Sequence, residues 1–208
     1  MTQYVAMPDG NGRHPGVVVI HEWWGVNDQI KSIADRWAHA GFVAVVPDLY
    51  NGKVVPLNKG DEAAAAMNAL DFPKAVQTII AAVDALKDNP RCNGKVSVSG
   101  YCMGGALTLA TATQAKGLSS IVPFYGIPPG ADFSKIDAPV QMHVAEHDDW
   151  VTVPKAKEVQ AAVGSKMELH TYDAHHAFCN DQRPEVFNAS ACAQAWSRAV
   201  QFVRDHSA

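Results

Sequence analysis

Long apolar runs are missing from this chain of 208 residues. No stretch approaches the roughly 18 residues of a membrane span, and the start, MTQYVAMPDGNGRHPG, has no basic segment followed by an apolar one of signal-peptide length. A cytoplasmic protein with no membrane partner is expected. Charge is also sparse: 18% of residues are Asp, Glu, Lys or Arg, with a net charge of -4 at pH 7. The sequence pI is about 6.1, and the cations are scattered, so the basic footprint of a nucleic-acid partner is absent. Paired cysteine spacing is absent too. Cys92, Cys102, Cys179 and Cys192 follow no staple or metal-ligand pattern, and a chain of this size needs no disulfides, so four free thiols are expected. No repeat, low-complexity tract or linker divides the chain. With 48% hydrophobic residues there is enough for one packed core, and a single domain over residues 1–208 is expected, as a monomer.

Against these absences stands a regular alternation. PGVVVIHEWWG gives a buried strand running into a loop, and NDQIKSIADRWAHAG then carries apolar residues at helical spacing, with Asn27 as N-cap and Gly41 as stop. FVAVVP is a second strand, followed by the turn-rich DLYNGKVVPLNKG. DEAAAAMNAL and DFPKAVQTIIAAVDALKDNP read as helices, the second with Pro73 near its start. KVSVSG, LSSIVPFYG, APVQMHVAEHDD and KMELHTYDAHHAF are further strand-to-loop units, interleaved with helices in MGGALTLATATQAKG, PKAKEVQAAVG and AQAWSRAVQFVRDH. Such alternation predicts an α/β fold, a mainly parallel sheet with helices on both faces.

In an open parallel sheet, ligands bind beyond the carboxyl ends of the strands. Four polar clusters fall there: His21 to Trp24, Gly100 to Gly104, Glu146 to Asp149, and His175 with His176. Gly100-x-Cys102-x-Gly104 has the form of a nucleophile elbow, in which flanking glycines let a strand turn sharply into a helix and lift the middle side chain into the open. A helix N-terminus there favours a thiolate. An activated nucleophile needs a base, and the base needs a group to hold it. Cys102, Asp148 and His176 occur in the chain order that an elbow on this fold requires. By sequence alone Glu146 or Asp149 could replace Asp148, and His175 could replace His176.

The segments HEWWGVN, AGFVAVVPDLYNG, GYCMGGAL, FYG, HDDWV and HHAF resemble the dienelactone hydrolase family, the carboxymethylenebutenolidase-like branch of the α/β-hydrolases, over nearly the whole chain. The resemblance implies Cys102 as nucleophile, His176 as base, Asp148 as its partner, and the backbone N–H groups of Trp23 and Met103 as oxyanion hole. It also implies that Glu22 sits beside the resting thiol, favouring its neutral form by like-charge repulsion until substrate moves the carboxylate. The family's two substrate-binding arginines are not matched. Lys59 is the only cation near the first position, and Asn180 stands at the second with Arg183 slightly beyond. Trp24, Trp150 and Phe178, with Trp23, are candidates for an apolar pocket.

The expected activity is hydrolysis of a small ester or lactone through an acyl-thiol intermediate, with no cofactor or metal. Two other readings compete. A metal site could draw on His143, His147, His170, His175, His176 and Cys179, but His143 and His147 lie about 13 Å apart if HVAEH is a strand. A non-catalytic or redox-sensing small-molecule-binding protein could use an oxidisable Cys102.

Overall fold

The computed structural model describes residues 3–207. Seven strands, β1 (Gln3–Ala6), β2 (His14–Ile20), β3 (Val43–Pro47), β4 (Cys92–Tyr101), β5 (Ile121–Phe124), β6 (Val140–His147) and β7 (Met167–His175), form one sheet in the order β1-β3-β2-β4-β5-β6-β7. All neighbours pair in parallel except β1, which runs antiparallel to β3 at the edge. β1 escapes the alternation read from the sequence because it has four residues, only Ala6 of them buried.

Strand residues point alternately to opposite faces. Val18 and Ile20 of β2, with Val43 and Val45 of β3, lie on the face covered by α3 (Phe72–Lys87), α4 (Met103–Ala112) and, over β6 and β7, α5 (Val153–Val163). Val17, Val19, Ala44 and Val46 face α1 (Asp28–His39) and α6 (Ala189–Asp205) instead. With both faces covered, the strands need the unbroken apolar runs that the sequence carries. The remaining helix, α2 (Gly60–Asn68), sets Ala63 against Trp24 and Val55 in a small separate cluster.

Helix boundaries follow from local chemistry. Asn27 accepts from the Ile30 N–H to start α1, Asp71 from Lys74 to start α3, and Asn188 from Ala191 to start α6. Each satisfies a backbone donor that the first helical turn leaves unpaired. None of the helices among the described residues is long and apolar enough to cross a membrane.

One expectation is corrected. Only Cys92 and Cys102 are free thiols; Cys179 and Cys192 form a disulfide, their Cα atoms 4.9 Å apart. Their separation of 13 residues matches no recognised spacing. The pairing arises because the loop after β7 folds back on the first turn of α6, a tertiary contact.

Denaturing alkylation of purified protein without reductant is therefore expected to modify two of the four cysteines, and all four after reduction. Closing a loop of this length is worth about 3 kcal/mol in the chain-entropy picture. Cys192→Ala should accordingly lower the thermal midpoint by about 6–12 °C, as read by calorimetry.

Candidate active site

β2 and β4 are the strands from which the chain order departs in opposite directions, so a crevice opens beyond their carboxyl ends. β2 leads to Glu22 and Trp23, and β4 leads to Cys102. The backbone at Cys102 has φ 55° and ψ -117°, a conformation that costs a non-glycine residue about 1–3 kcal/mol. The surroundings enforce it. The Cys102 N–H donates to the Phe124 carbonyl at 3.1 Å, and its own carbonyl accepts from Ala106 at 3.1 Å in the first turn of α4. Gly104 sits directly against the carbonyls of Ile20 and His21, where a Cβ would collide with backbone. Only a glycine lets the first turn of α4 lie so close to the end of β2.

This approach brings the thiol to the floor of a cavity of about 550 Å³ whose lining includes Glu22, Trp23, Cys102, Asp148, Trp150 and His176. His176 Nε2 lies 3.2 Å from Cys102 Sγ, and His176 Nδ1 lies 2.7 Å from Asp148 Oδ2. Asp148 is itself fixed: its Oδ1 accepts the backbone N–H groups of Trp150 at 2.8 Å and Val151 at 2.9 Å. Of the alternatives open in the sequence, Asp149 and His175 also line the cavity, but none bonds to the His176–Cys102 pair. Glu146 accepts from Thr171, His147 meets Asp173, and His175 turns its Nδ1 to the His147 carbonyl. His143 is buried between Tyr172 and Gln141.

Burial disfavours an imidazolium at His176, but hydrogen bonds to Asp148 and Cys102, and the charges of both, outweigh it and raise the pKa to about 10. Burial likewise pushes the Asp148 pKa up, and is outweighed by the hydrogen bond and charge of His176 and by the two backbone donors, leaving a lowered value. Glu22 behaves differently. It is 2% exposed, and burial raises its pKa against the opposing effects of Asn180, His176, Arg183 and Tyr125. Its oxygens accept from Asn180 Nδ2 at 2.8 Å and from the Tyr125 hydroxyl at 3.3 Å, both neutral donors.

Other residues singled out in the sequence separate into two groups. Trp23, Trp150 and Arg183 line the cavity. Arg183 is held by Glu185 at 2.8 Å and lies 5.8 Å over the Trp24 ring. Trp24, Phe178 and Lys59 do not line it. Trp24 packs on Val55 and Ala63, Phe178 is fully buried against Tyr125 and Tyr172, and Lys59 pairs at the surface with Glu62. The sequence reading gave no role to Tyr125, whose ring also meets that of His176 at 5.2 Å. Its place directly after β5, at the same sheet edge, is the signal that could have found it. Cys102, Tyr125 and Ala177 are three of the four non-glycine residues with positive φ among those described, and Cys102 and Ala177 line the cavity.

Comparison with known proteins addresses the family of the whole chain. A sequence model of the dienelactone hydrolase family matches residues 1–207. The chain is 35% identical over 225 residues to Protein usf of Aquifex pyrophilus, covering 98% of this chain and 92% of that one. It is 30% identical over 210 residues to a carboxymethylenebutenolidase of a Pseudomonas species, covering 93% and 85%. Among solved structures, a dienelactone hydrolase-like promiscuous phosphotriesterase from metagenomic libraries superimposes with a TM-score of 0.83 at 26% identity, covering 96% of this chain and 89% of that one.

The His176 geometry gives a pH signature. His176 keeps its charge up to a pH of about 10, which sets a cation 3.2 Å from Cys102 Sγ over the whole neutral range. His176→Ala is expected to slow iodoacetamide alkylation of Cys102 by more than about tenfold at pH 6.5. The deficit should shrink as pH rises and vanish near pH 10, as read by stopped alkylation and intact mass.

Proposed function

We propose, from the fact that this chain belongs to the dienelactone hydrolase family, that it hydrolyses small uncharged esters or lactones through an acyl-thiol intermediate on Cys102. The observation that carries this reading is the continuous chain of contacts from Cys102 Sγ through the His176 imidazole to Asp148, at 3.2 Å and 2.7 Å, on the floor of an open cavity. A sulfur at a strained elbow, a base within hydrogen-bond reach and a buried carboxylate that orients the base are the parts nucleophilic acyl transfer requires.

In this mechanism the Cys102 thiolate attacks the substrate carbonyl, forming the C–S bond while the carbonyl electron pair moves to oxygen. The N–H of Met103, first in α4 and without an intrahelical acceptor, and the N–H of Trp23 meet that developing charge. Collapse of the adduct breaks the bond to the leaving oxygen, which takes the proton from His176 Nε2. His176 then removes a proton from water, hydroxide attacks the thioester carbonyl, and the thiolate departs with the acid as product. Asp148 holds Nδ1–H throughout, keeping Nε2 toward sulfur. Glu22 acts as a modulator: neutral, it leaves the thiolate undisturbed, and ionised, it repels it.

The preference for uncharged substrates rests on the lining. Asp148, Asp149, Glu22 and Glu185 all contribute to it, and its one arginine, Arg183, is committed to Glu185. Asn180 spends its amide on Glu22 and carries no charge for a carboxylate.

Two measurements follow. Cys102→Ala should lose about a thousandfold or more in turnover of a neutral aryl ester, and quenched wild type should carry an acyl adduct on the Cys102 peptide. Wild-type turnover without that adduct would remove the acyl-thiol step, and ligand binding with no turnover would favour a binding protein. Between a neutral lactone and its carboxylated analogue, kcat/KM should favour the neutral one. A preference for the carboxylated lactone would overturn the charge argument.

A further inference from the structure

Trp150 is the most exposed large apolar side chain among the described residues, at 54%. Leaving an indole in water forgoes the favourable free energy of burying it, and this indole is nevertheless held in place. Its backbone N–H is tied to Asp148 Oδ1 at 2.8 Å. Its ring meets the edge of Trp23 at 5.4 Å and an interplanar angle of 79°, and it leans over the imidazole of His176 at 5.0 Å. Trp23, Trp150 and His176 thus form a continuous aromatic wall from the mouth of the cavity down to Cys102.

The wall has a direction relative to the chemistry. In acylation the leaving oxygen lies between Sγ, which attacks its carbon, and Nε2, which protonates it; these two atoms are 3.2 Å apart. A substituent on that oxygen passes the imidazole edge and meets the indole leaning on it. Aromatic faces attract flat π-systems in offset or edge-to-face geometry by more than their buried area alone supplies. The nearby carboxylates of Asp149 and Glu185 disfavour an anionic ring.

Resting on the acyl-thiol reading, we propose that Trp150, backed by Trp23, is the specificity-determining residue for the leaving group, selecting esters whose departing alcohol is a flat, uncharged ring. Trp150 contacts the alcohol portion and leaves the acyl portion untouched. Its influence therefore belongs to acylation and ends when the alcohol departs.

The test compares 2-naphthyl acetate with 2,2,2-trifluoroethyl acetate, two activated esters that give the same acetyl-enzyme. In Trp150→Ala the ratio of kcat/KM for naphthyl over trifluoroethyl is expected to fall about three- to tenfold, and Trp150→Phe should restore most of it. The rate constant for breakdown of the acetyl-enzyme should not follow that fall. An equal loss on both esters, or a parallel loss in acetyl-enzyme breakdown, would mean that Trp150 merely supports His176, which serves both steps, and would overturn the proposal. Calorimetric titration of 2-naphthol into unreacted protein tests the same contact without turnover: Kd should weaken about three- to tenfold in Trp150→Ala, and an unchanged Kd would overturn it. A wild type that forms no acyl adduct would sink the acyl-thiol reading instead, and the naphthol titration would still decide whether the wall takes a flat ring.

Discussion

The close approach of backbone to backbone at the elbow is the constraint on which the rest of the site depends. Gly104 lies on the carbonyls of Ile20 and His21, Gly105 on that of Phe124, and Gly126 on that of Cys102. Three strand ends, β2, β4 and β5, therefore meet around one turn of α4 at separations no side chain would allow. The left-handed backbone of Cys102 persists because these contacts leave it no alternative. Its consequence is chemical: sulfur is held at the N-terminus of a helix, next to the backbone that follows β2.

Around that fixed point two carboxyl groups experience opposite environments. Asp148 is buried, but it faces a histidine and two backbone donors, so it keeps its charge. Glu22 is buried with only an amide and a phenol for direct partners, and its pKa moves up. The difference matters because both belong to the same cavity as the thiol. In the proposed mechanism, a carboxylate that stays ionised stabilises the imidazolium, and a carboxyl with a raised pKa is a weaker repelling neighbour for a thiolate. Under the proposed mechanism, pushing two acids apart in this way separates an orienting group from a modulating one.

Much of this was legible in the sequence because strand, loop and elbow signals are local. The alternation of apolar runs and helical spacing predicted the parallel sheet, and the rule that ligands gather at the carboxyl edge identified the loops carrying Cys102, Asp148 and His176. What escaped is tertiary. Nothing local distinguishes His175 from His176; they diverge because β7 ends at His175, and the turn beyond it sends the next ring toward sulfur. Trp24 and Phe178 looked equivalent to Trp23 and Trp150, yet one pair is buried and the other lines the cavity. The Cys179–Cys192 pair is invisible for the same reason, since its two halves meet only after α6 packs against the sheet. β1 was too short and too exposed to leave a pattern.

The disulfide and the open indole also divide the site mechanically. His176 is on a loop, where side chains are less precisely held than on strands, yet the segment that follows it is pinned. Phe178 is fully buried, its carbonyl accepts from Asn188 at 3.0 Å, Cys179 is bonded to α6, and Asn180 is locked to Glu22. His176 and Glu22 are thereby referred to the same pinned segment. Next to His176 at the rim, Trp150 is anchored through its backbone and leaves its ring half in water. Catalytic geometry tolerates displacements well under 1 Å, whereas recognition of a flat ring tolerates tilt and sliding. In the proposed mechanism, the stapled segment after His176 holds the distance from Nε2 to Sγ, while the half-exposed ring of Trp150 offers the substrate a tolerant surface.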